Sequence, residues 1–541
     1  MRRYWKCGAA AAALLALLPT GSLLAQGQSA DLLIKGGTIY DGSEGNKGYV
    51  GDVAVSGDRI VYVGPHASVT AKRTINAKGK IVSPGFIDTH AHPDSQIYSP
   101  DPQLRQVPNW IMQGATTLVL GVDGAGIGGA SGGLVHSGVE IKDTFAKFTQ
   151  QGIGPNVLAF VGYAPIRERV IGEEARAPTA AELLAEKQLV AKGMCEGAWG
   201  FSTGLWYTPQ FFAKTDELIE LAKEAGKRGG IYDTHQRDEA SYSIGLLNSV
   251  KEALTIGKES GMPVHFAHIK ALGPTVWGQS AGIIKLVDAA RAAGQSVSAD
   301  QYPYNANETS LQAQIIPSWA LDGGYPALIK RFNDPATLEK IRAETTENLK
   351  RSNGPHAILF VASKQPWNGK YLDDVAKEWK VAPVDAAIRI LRQTDKQAVD
   401  VFSMTPPDID ALLKQSWTFT GSDGADGHPR ITGTYPTKYQ EFVKRRKVIS
   451  LGFFVRQSSG AIADFYKLDR RGYLRNGYYA DIVVFDPVKY VAKSSYVDWT
   501  PLAEGVTATV INGKIAVDNG KMTDVLSGRP LSHTATPGSC L

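Results

Sequence analysis

The sequence predicts an α/β protein: a (β/α)8 TIM barrel with a small β-sandwich domain formed by both chain ends. Three observations predict it. β-rich runs divided by Gly and Asp turn signals stand near both ends of the chain. Between them, short apolar runs alternate with helical stretches. Polar residues that can bind metal recur at the C-terminal ends of those apolar runs, which is where barrel active sites are built.

The elements follow in chain order. Arg2, Arg3 and Lys6 form a basic n-region, and Ala9 to Leu18 is an Ala/Leu run ended by Pro19. With a small-residue cleavage site after Ala25, residues 1–25 read as a secretory signal peptide. The run is too short to span a bilayer, so export without a stable membrane anchor is expected. Its destination is the periplasm or the medium. Cys7 precedes the apolar run and is a poor lipidation site. Segments such as Asp52–Val55 and Ile60–Gly64 at the front, and Asp481–Phe485 and Val506–Val517 at the back, are strand-like. Residues 26–84 and 466–541 are therefore expected to form one composite β-sandwich domain, with the barrel at 85–465 inserted between them.

Within the barrel region the strand candidates are Phe86–Thr89, Thr116–Leu120, Val157–Val161, Trp199–Ser202, Gly230–Thr234, Val264–Ala267, Ser296–Ala299 and Thr418–Gly421. Ala180–Gly193, Thr215–Arg228 and Ser243–Ser260 have apolar residues at helical spacing. A doubly wound sheet gives the same alternation, and the polar residues at the strand ends favour the barrel. The stretch from about 311 to 400 exceeds what one crossover needs and predicts an insertion or lid.

Composition sets bounds on function. A chain of 541 residues with 43% apolar and 21% charged residues suits one large globular domain and a smaller one. The net charge is +5, without a long basic block, so no nucleic-acid partner is expected. After removal of the leader, Cys195 and Cys540 remain. So wide a separation does not suggest a disulfide framework, and Cys195 reads as a small core residue.

The strongest local signal is Gly85-Phe-Ile-Asp-Thr-His-Ala-His. His90 and His92 share a face in extended backbone, so both imidazoles can meet one metal. His235 closes Gly-Gly-Ile-Tyr-Asp-Thr-His, and Asp423 closes Phe-Thr-Gly-Ser-Asp. His265 and His268 compete for one further position. Three apart, they should face opposite sides of a strand, and His268 is favoured because it lies nearer the strand end. Alone, each residue reads as structural. Together they form the arrangement that binds zinc and activates water.

These motifs resemble the amidohydrolase superfamily in its D-aminoacylase, or N-acyl-D-amino-acid deacylase, branch. The resemblance extends through Gly200-Phe-Ser-Thr-Gly-Leu, Thr234-His-Gln-Arg-Asp-Glu, Ala267-His-Ile-Lys, Asp300-Gln-Tyr-Pro-Tyr and His428-Pro-Arg-Ile-Thr-Gly. It implies metal-dependent hydrolysis of an N-acyl amino acid, of D configuration, to a carboxylate and a free amino acid. It implies one metal site from His90, His92 and Asp423, and a tighter zinc held by His235 and His268. Asp423 is the implied catalytic proton shuttle. Lys270, Tyr207, Tyr302 and Arg430 match the positions that hold the substrate carboxylate.

The chain departs from the pattern at four places. The branch carries Asn-Cys-Gly after the second strand, with the thiolate as ligand. Here Asp123 stands in place of that Cys, a harder ligand that shifts preference toward manganese or cobalt. Gly162-Tyr163 replaces Gly-His, the Asp423–Arg430 loop is short, and Gly124–Gly133 is glycine-rich. The fourth strand has no lysine to bridge two metals, so one or two ions fit the sequence. Those last three departures are expected where substrate is read. Alternative substrates for the same chemistry are a cyclic amide, a small peptide or a lactone. A non-catalytic binding protein on the same scaffold is the reading of a different class.

Overall fold

A computed structural model describes residues 29–127 and 140–540. The expected leader at 1–25, with Cys7, lies outside those residues, as do residues 128–133 of the glycine-rich run.

Eight short strands form the centre of the molecule: β1 (Phe86–Asp88), β2 (Ala115–Leu120), β3 (Asn156–Ala159, continued by Val161–Gly162), β4 (Gly200–Gly204), β5 (Ile231–His235), β6 (Val264–Phe266), β7 (Val297–Gln301) and β8 (Thr418–Thr420). Each pairs in parallel with the next. The ring closes just past the ends of β1 and β8, where Ala91 and Gly424 form a parallel bridge. The eight segments expected to be strands are thus the strands of a closed barrel. Side chains alternate as the pleat requires. Ile87, Val119, Leu158, Phe160, Ile231 and Phe419 pack with one another inside. Phe86, Leu118, Phe201, Tyr232, Val264 and Val297 pack outward with the helices.

The helices begin where capping chemistry allows. Thr179 and Glu182 form a capping box at the start of Ala180–Cys195. The helix expected from Ser243 starts instead at Leu246. The Asp238 carboxylate accepts the N–H groups of Ala240, Ser243 and Gly245 and holds that stretch as a turn.

Both chain ends contribute to one mixed sheet of nine strands, in which Ser29–Ile39 pairs with three others. Ile81–Pro84 pairs with Ile482–Phe485, joining the two halves. One face buries Ile34, Val53, Val55, Ile482, Val484 and Val510 against one another. The other presents Val483, Phe485 and Val517 to the main core. Between β7 and β8 lies a three-stranded antiparallel sheet of Ala306–Ser310, Ala398–Phe402 and Ile358–Val361. With its helices it has a separate core around Leu311, Phe332, Phe360 and Val399. Among the described residues no helix is long and apolar enough to cross a membrane.

One expectation is overturned. Cys195 is not a core residue: it is exposed at the end of its helix and disulfide-bonded to Cys540, with Cα atoms 5.6 Å apart. The chain end runs back beneath the barrel to meet it. Leu531 N–H donates to Val157 O at 2.8 Å and His533 N–H to Gly197 O at 2.9 Å. A separation of 345 residues hides the pairing from any local reading. A link of this kind typically contributes about 2–4 kcal/mol. Cys195→Ser should therefore lower the melting temperature seen by calorimetry and expose the tail to proteolysis. Equal melting of variant and oxidised parent would contradict a stabilising role.

Candidate metal centre

The site is built where five strands end. His90 and His92 follow β1, Asp123 follows β2, His235 ends β5, His268 lies beyond β6 and Asp423 beyond β8. The Nε2 atoms of His90 and His92 are 3.2 Å apart. Asp123 Oδ2 lies 3.2 Å from His90 Nε2 and 3.4 Å from His92 Nε2. Its Oδ1 lies 3.3 Å from His268 Nε2 and 3.7 Å from His235 Nδ1. Asp423 Oδ1 lies 3.4 Å from His90 and 3.5 Å from His92. Asp123 therefore turns one oxygen to each histidine pair.

Local backbone explains these positions. Asp123, His268 and Asp423 all have positive φ, at 55°, 35° and 48°. Non-glycine residues held there store strain, which concentrates at functional sites. The Asp123 loop lies against two glycines. A Cβ on Gly162 would fall 2.1 Å from Gly126 N, and one on Gly204 would fall 2.2 Å from Asp123 O. The His268 N–H donates to Asp300 Oδ1 at 2.8 Å.

The strand-face argument for His265 and His268 needs correction. Both turn into the barrel. β6 ends at Phe266, and the left-handed backbone at His268 breaks the alternation. His265 lies one layer deeper, bonded to Ser298 Oγ and to Asp300 Oδ2, each at 2.8 Å. It is His268 that reaches Asp123.

The four positions matched to carboxylate binding sit beside the cluster. Arg430 and Lys270 flank the Tyr302 ring, 4.8 and 5.8 Å from its centroid. The Tyr302 hydroxyl is buried and has no hydrogen-bond partner among the described residues. Tyr207 accepts from Thr309 Oγ1 at 3.4 Å, and its ring lies 4.9 Å from His235. A cavity of about 550 Å³ opens onto His92, Asp123, Tyr207, Asp423 and Arg430. Tyr163 is elsewhere. Its hydroxyl donates to Glu217 beneath the helices, beside Arg167, so this departure touches packing and not the cavity.

Two carboxylates join the site unannounced by the sequence reading. Glu239 lies 3.5 Å from His235 Nε2, 3.2 Å from His268 Nδ1 and 2.8 Å from Lys270 Nζ. Its place four residues after His235 was the available signal. Glu308 comes from the insertion, 3.6 Å from Arg430.

The electrostatics suit a cation in the cluster. Burial pushes the His235 imidazole down to about 3, so it is neutral at ordinary pH. Burial works to raise the Asp123 and Asp423 carboxyls, but neighbouring imidazoles, and Arg430 for Asp423, hold both well below the usual range. Among the described residues, His90 Nδ1, Asp123 Oδ1 and both His235 ring nitrogens are buried without hydrogen-bond partners. Unpaired buried polar atoms cost about 1–3 kcal/mol each. Ligand atoms of His90, Asp123, His268 and Asp423 all lie within 4.8 Å of one another. This donor set of imidazole and carboxylate fits a divalent metal.

A closed barrel with a His/Asp cluster at its strand ends defines a metal-site barrel protein of the amidohydrolase type. The chain belongs to the amidohydrolase family, whose model matches residues 73–517. It is 30% identical to the D-aminoacylase of Alcaligenes xylosoxydans xylosoxydans over 94% of this chain and 99% of that protein. It is also 30% identical to the N-acyl-D-aspartate deacylase of the same organism, over 90% and 91%. A solved D-aminoacylase, described with a binuclear metal centre, superposes with a TM-score of 0.78 at 28% identity, covering 93% of this chain and all of that one. The N-acyl-D-glutamate deacylase of Bordetella bronchiseptica, solved with zinc and a phosphonate mimic of the tetrahedral intermediate, gives 0.77 at 28% over the same shares.

Glu308 yields a pH prediction. Burial raises its carboxyl to about 7 from 4.5, with Arg430 opposing and Asp423 adding to the rise. A raised folded pKa means the fold holds the proton more tightly. The resulting stabilisation is full below about 4.5 and is lost as pH rises through about 7. Glu308→Gln should flatten the fall in melting temperature between pH 5 and 8. A variant as pH-sensitive as the parent would refute this assignment.

Proposed function

We propose that the protein is a zinc-dependent deacylase that hydrolyses the amide bond of N-acyl-D-amino acids. The observation that carries the reading is Asp423 in contact with both the histidine pair and Arg430, whose Nη1 lies 2.7 Å from its Oδ2. This contact supports a role for Asp423 as a proton-transfer carboxylate and for Arg430 as a guanidinium that takes a substrate carboxylate.

In this proposal His90, His92 and Asp423 would hold one ion, and His235 and His268 would hold another. Asp123, which turns one oxygen to each histidine pair, would add to the donor set. A bound metal supplies Lewis-acid polarisation of the amide carbonyl and a water of lowered pKa. Arg430, Lys270, Tyr302 and Tyr207 fix the substrate carboxylate and so set the scissile amide beside Asp423. Asp423, kept ionised by Arg430, accepts the proton from water as oxygen adds to the carbonyl carbon. It returns that proton to the nitrogen as the C–N bond breaks. The products are a carboxylate and a free amino acid. The D configuration rests on likeness to the relatives. Export is proposed from the leader pattern, and the Cys195–Cys540 bond suits an oxidising compartment.

A panel of N-acetyl-D- and N-acetyl-L-amino acids, assayed for released amine with and without chelator, tests the reading. Release from D substrates that chelator abolishes is expected, and no release from any amide would end it. Asp423→Asn should lower kcat by about 10²–10⁴-fold. Arg430→Ala should weaken binding by about 2–5 kcal/mol as a broken buried charge pair. An unchanged KM would remove the guanidinium from substrate binding.

A further inference from the structure

The cavity beside the cluster is lined by more carboxyl groups than hydrolysis requires. Besides Asp123 and Asp423, its wall includes Asp94, Glu308 and Asp426, and among the described residues the only Lys or Arg lining it is Arg430. That guanidinium is already engaged. Asp423 lies 2.7 Å from Nη1 and Glu308 3.6 Å from Nη2. Asp400 stands directly across the antiparallel pair from Glu308, buried with neither oxygen hydrogen-bonded. Three carboxyls therefore crowd one cation.

Glu308, like Asp123, has a buried oxygen that makes no hydrogen bond among the described residues. The Glu308 side chain is only 6% exposed, and its Oε2 has no hydrogen-bond partner among the described residues. It lines the outer cavity and also the inner recess formed with His235, Lys270 and Asn307. A buried carboxyl of this kind is costly unless a cation or donor meets it. An apolar substrate side chain would leave it only the 3.6 Å contact with Arg430, and an acidic one would add a further like charge.

We infer that this site selects N-acyl amino acids whose side chain carries a cation, an amine or a guanidinium, with Glu308 as the specificity-determining residue that meets it. The inference rests on the deacylase reading above and names its substrate class. The competing role for Glu308, as a counter-ion to Arg430 alone, predicts no such preference.

The test pairs each cationic substrate with a near-isosteric neutral one in the metal-loaded enzyme. Nα-acetyl-lysine is compared with Nα-acetyl-norleucine, and Nα-acetyl-arginine with Nα-acetyl-citrulline, each in both configurations. The cationic member should show a kcat/KM higher by about tenfold or more, carried by KM. In Glu308→Gln that ratio should shrink to within about threefold. Hydrolysis of both members without preference in the parent enzyme overturns the inference and leaves the deacylase reading standing. No hydrolysis of any pair, nor of the wider panel, removes the deacylase reading and this inference with it. The parent comparison needs no variant, so it stands even if Glu308→Gln fails to fold.

Discussion

The seam between β1 and β8 is the constraint on which the site depends. Asp423 N–H donates to His90 O at 2.8 Å, and His92 N–H donates to Gly424 O at 3.0 Å. Beneath them, Asp88 Oδ1 accepts from Ser422 N–H at 2.9 Å and His90 N–H at 3.1 Å, while Trp110 Nε1 donates to its Oδ2 at 3.0 Å. These bonds close a barrel whose first and last strands are only three residues each. The same bonds bring His90, His92 and Asp423 together from positions more than 300 residues apart. Closure of the fold and assembly of half the cluster are one event. A loosened seam would therefore be felt first as lost chemistry, since catalytic groups tolerate very little displacement.

The other half is held from below. Asp300 accepts from Thr89 Oγ1 at 3.0 Å, pairs with His265 and takes the His268 N–H. This buried polar layer spans β1, β6 and β7 and fixes the turn at which His268 leaves its strand. His265 thus acts through position, setting the platform on which the outer imidazoles stand. Such fully bonded interior networks rigidify a core that would otherwise be apolar.

Much of this was legible in the sequence because it depends on local pattern. All eight strands coincide with apolar runs, and His90, His92, His235 and Asp423 each close one. The parts that escaped depend on distance or on backbone handedness. Cys195 and Cys540 pair only because the tail returns under the barrel. The orientation of His268 follows from its φ of 35°, which no side-chain periodicity reports. Tyr163 looked like a substrate position because of its neighbours in the motif, but its ring turns toward Glu217. Glu308 was invisible for a different reason. It belongs to the insertion, whose strand Ala306–Ser310 has no motif and acquires meaning only when it pairs with Ala398–Phe402 beside Arg430.

That division has a chemical logic. The cluster is supplied by barrel strand ends, which the whole fold holds rigid. Glu308 and Thr309 of the cavity wall come from an appended sheet with its own apolar core. Changes in that sheet can alter charge and shape in the pocket without disturbing the seam or the Asp300 layer. On the proposed reading, the chemistry and its selectivity thus rest on physically separate supports. Arg430 is where they meet. It contacts Asp423 from the barrel and Glu308 from the insertion, and it stacks on Tyr302 after β7. Any substrate carboxylate that draws the guanidinium toward itself must weaken its hold on both carboxyls. On the proposed reading, binding at one end of the substrate is therefore electrostatically tied to the charge presented to the other.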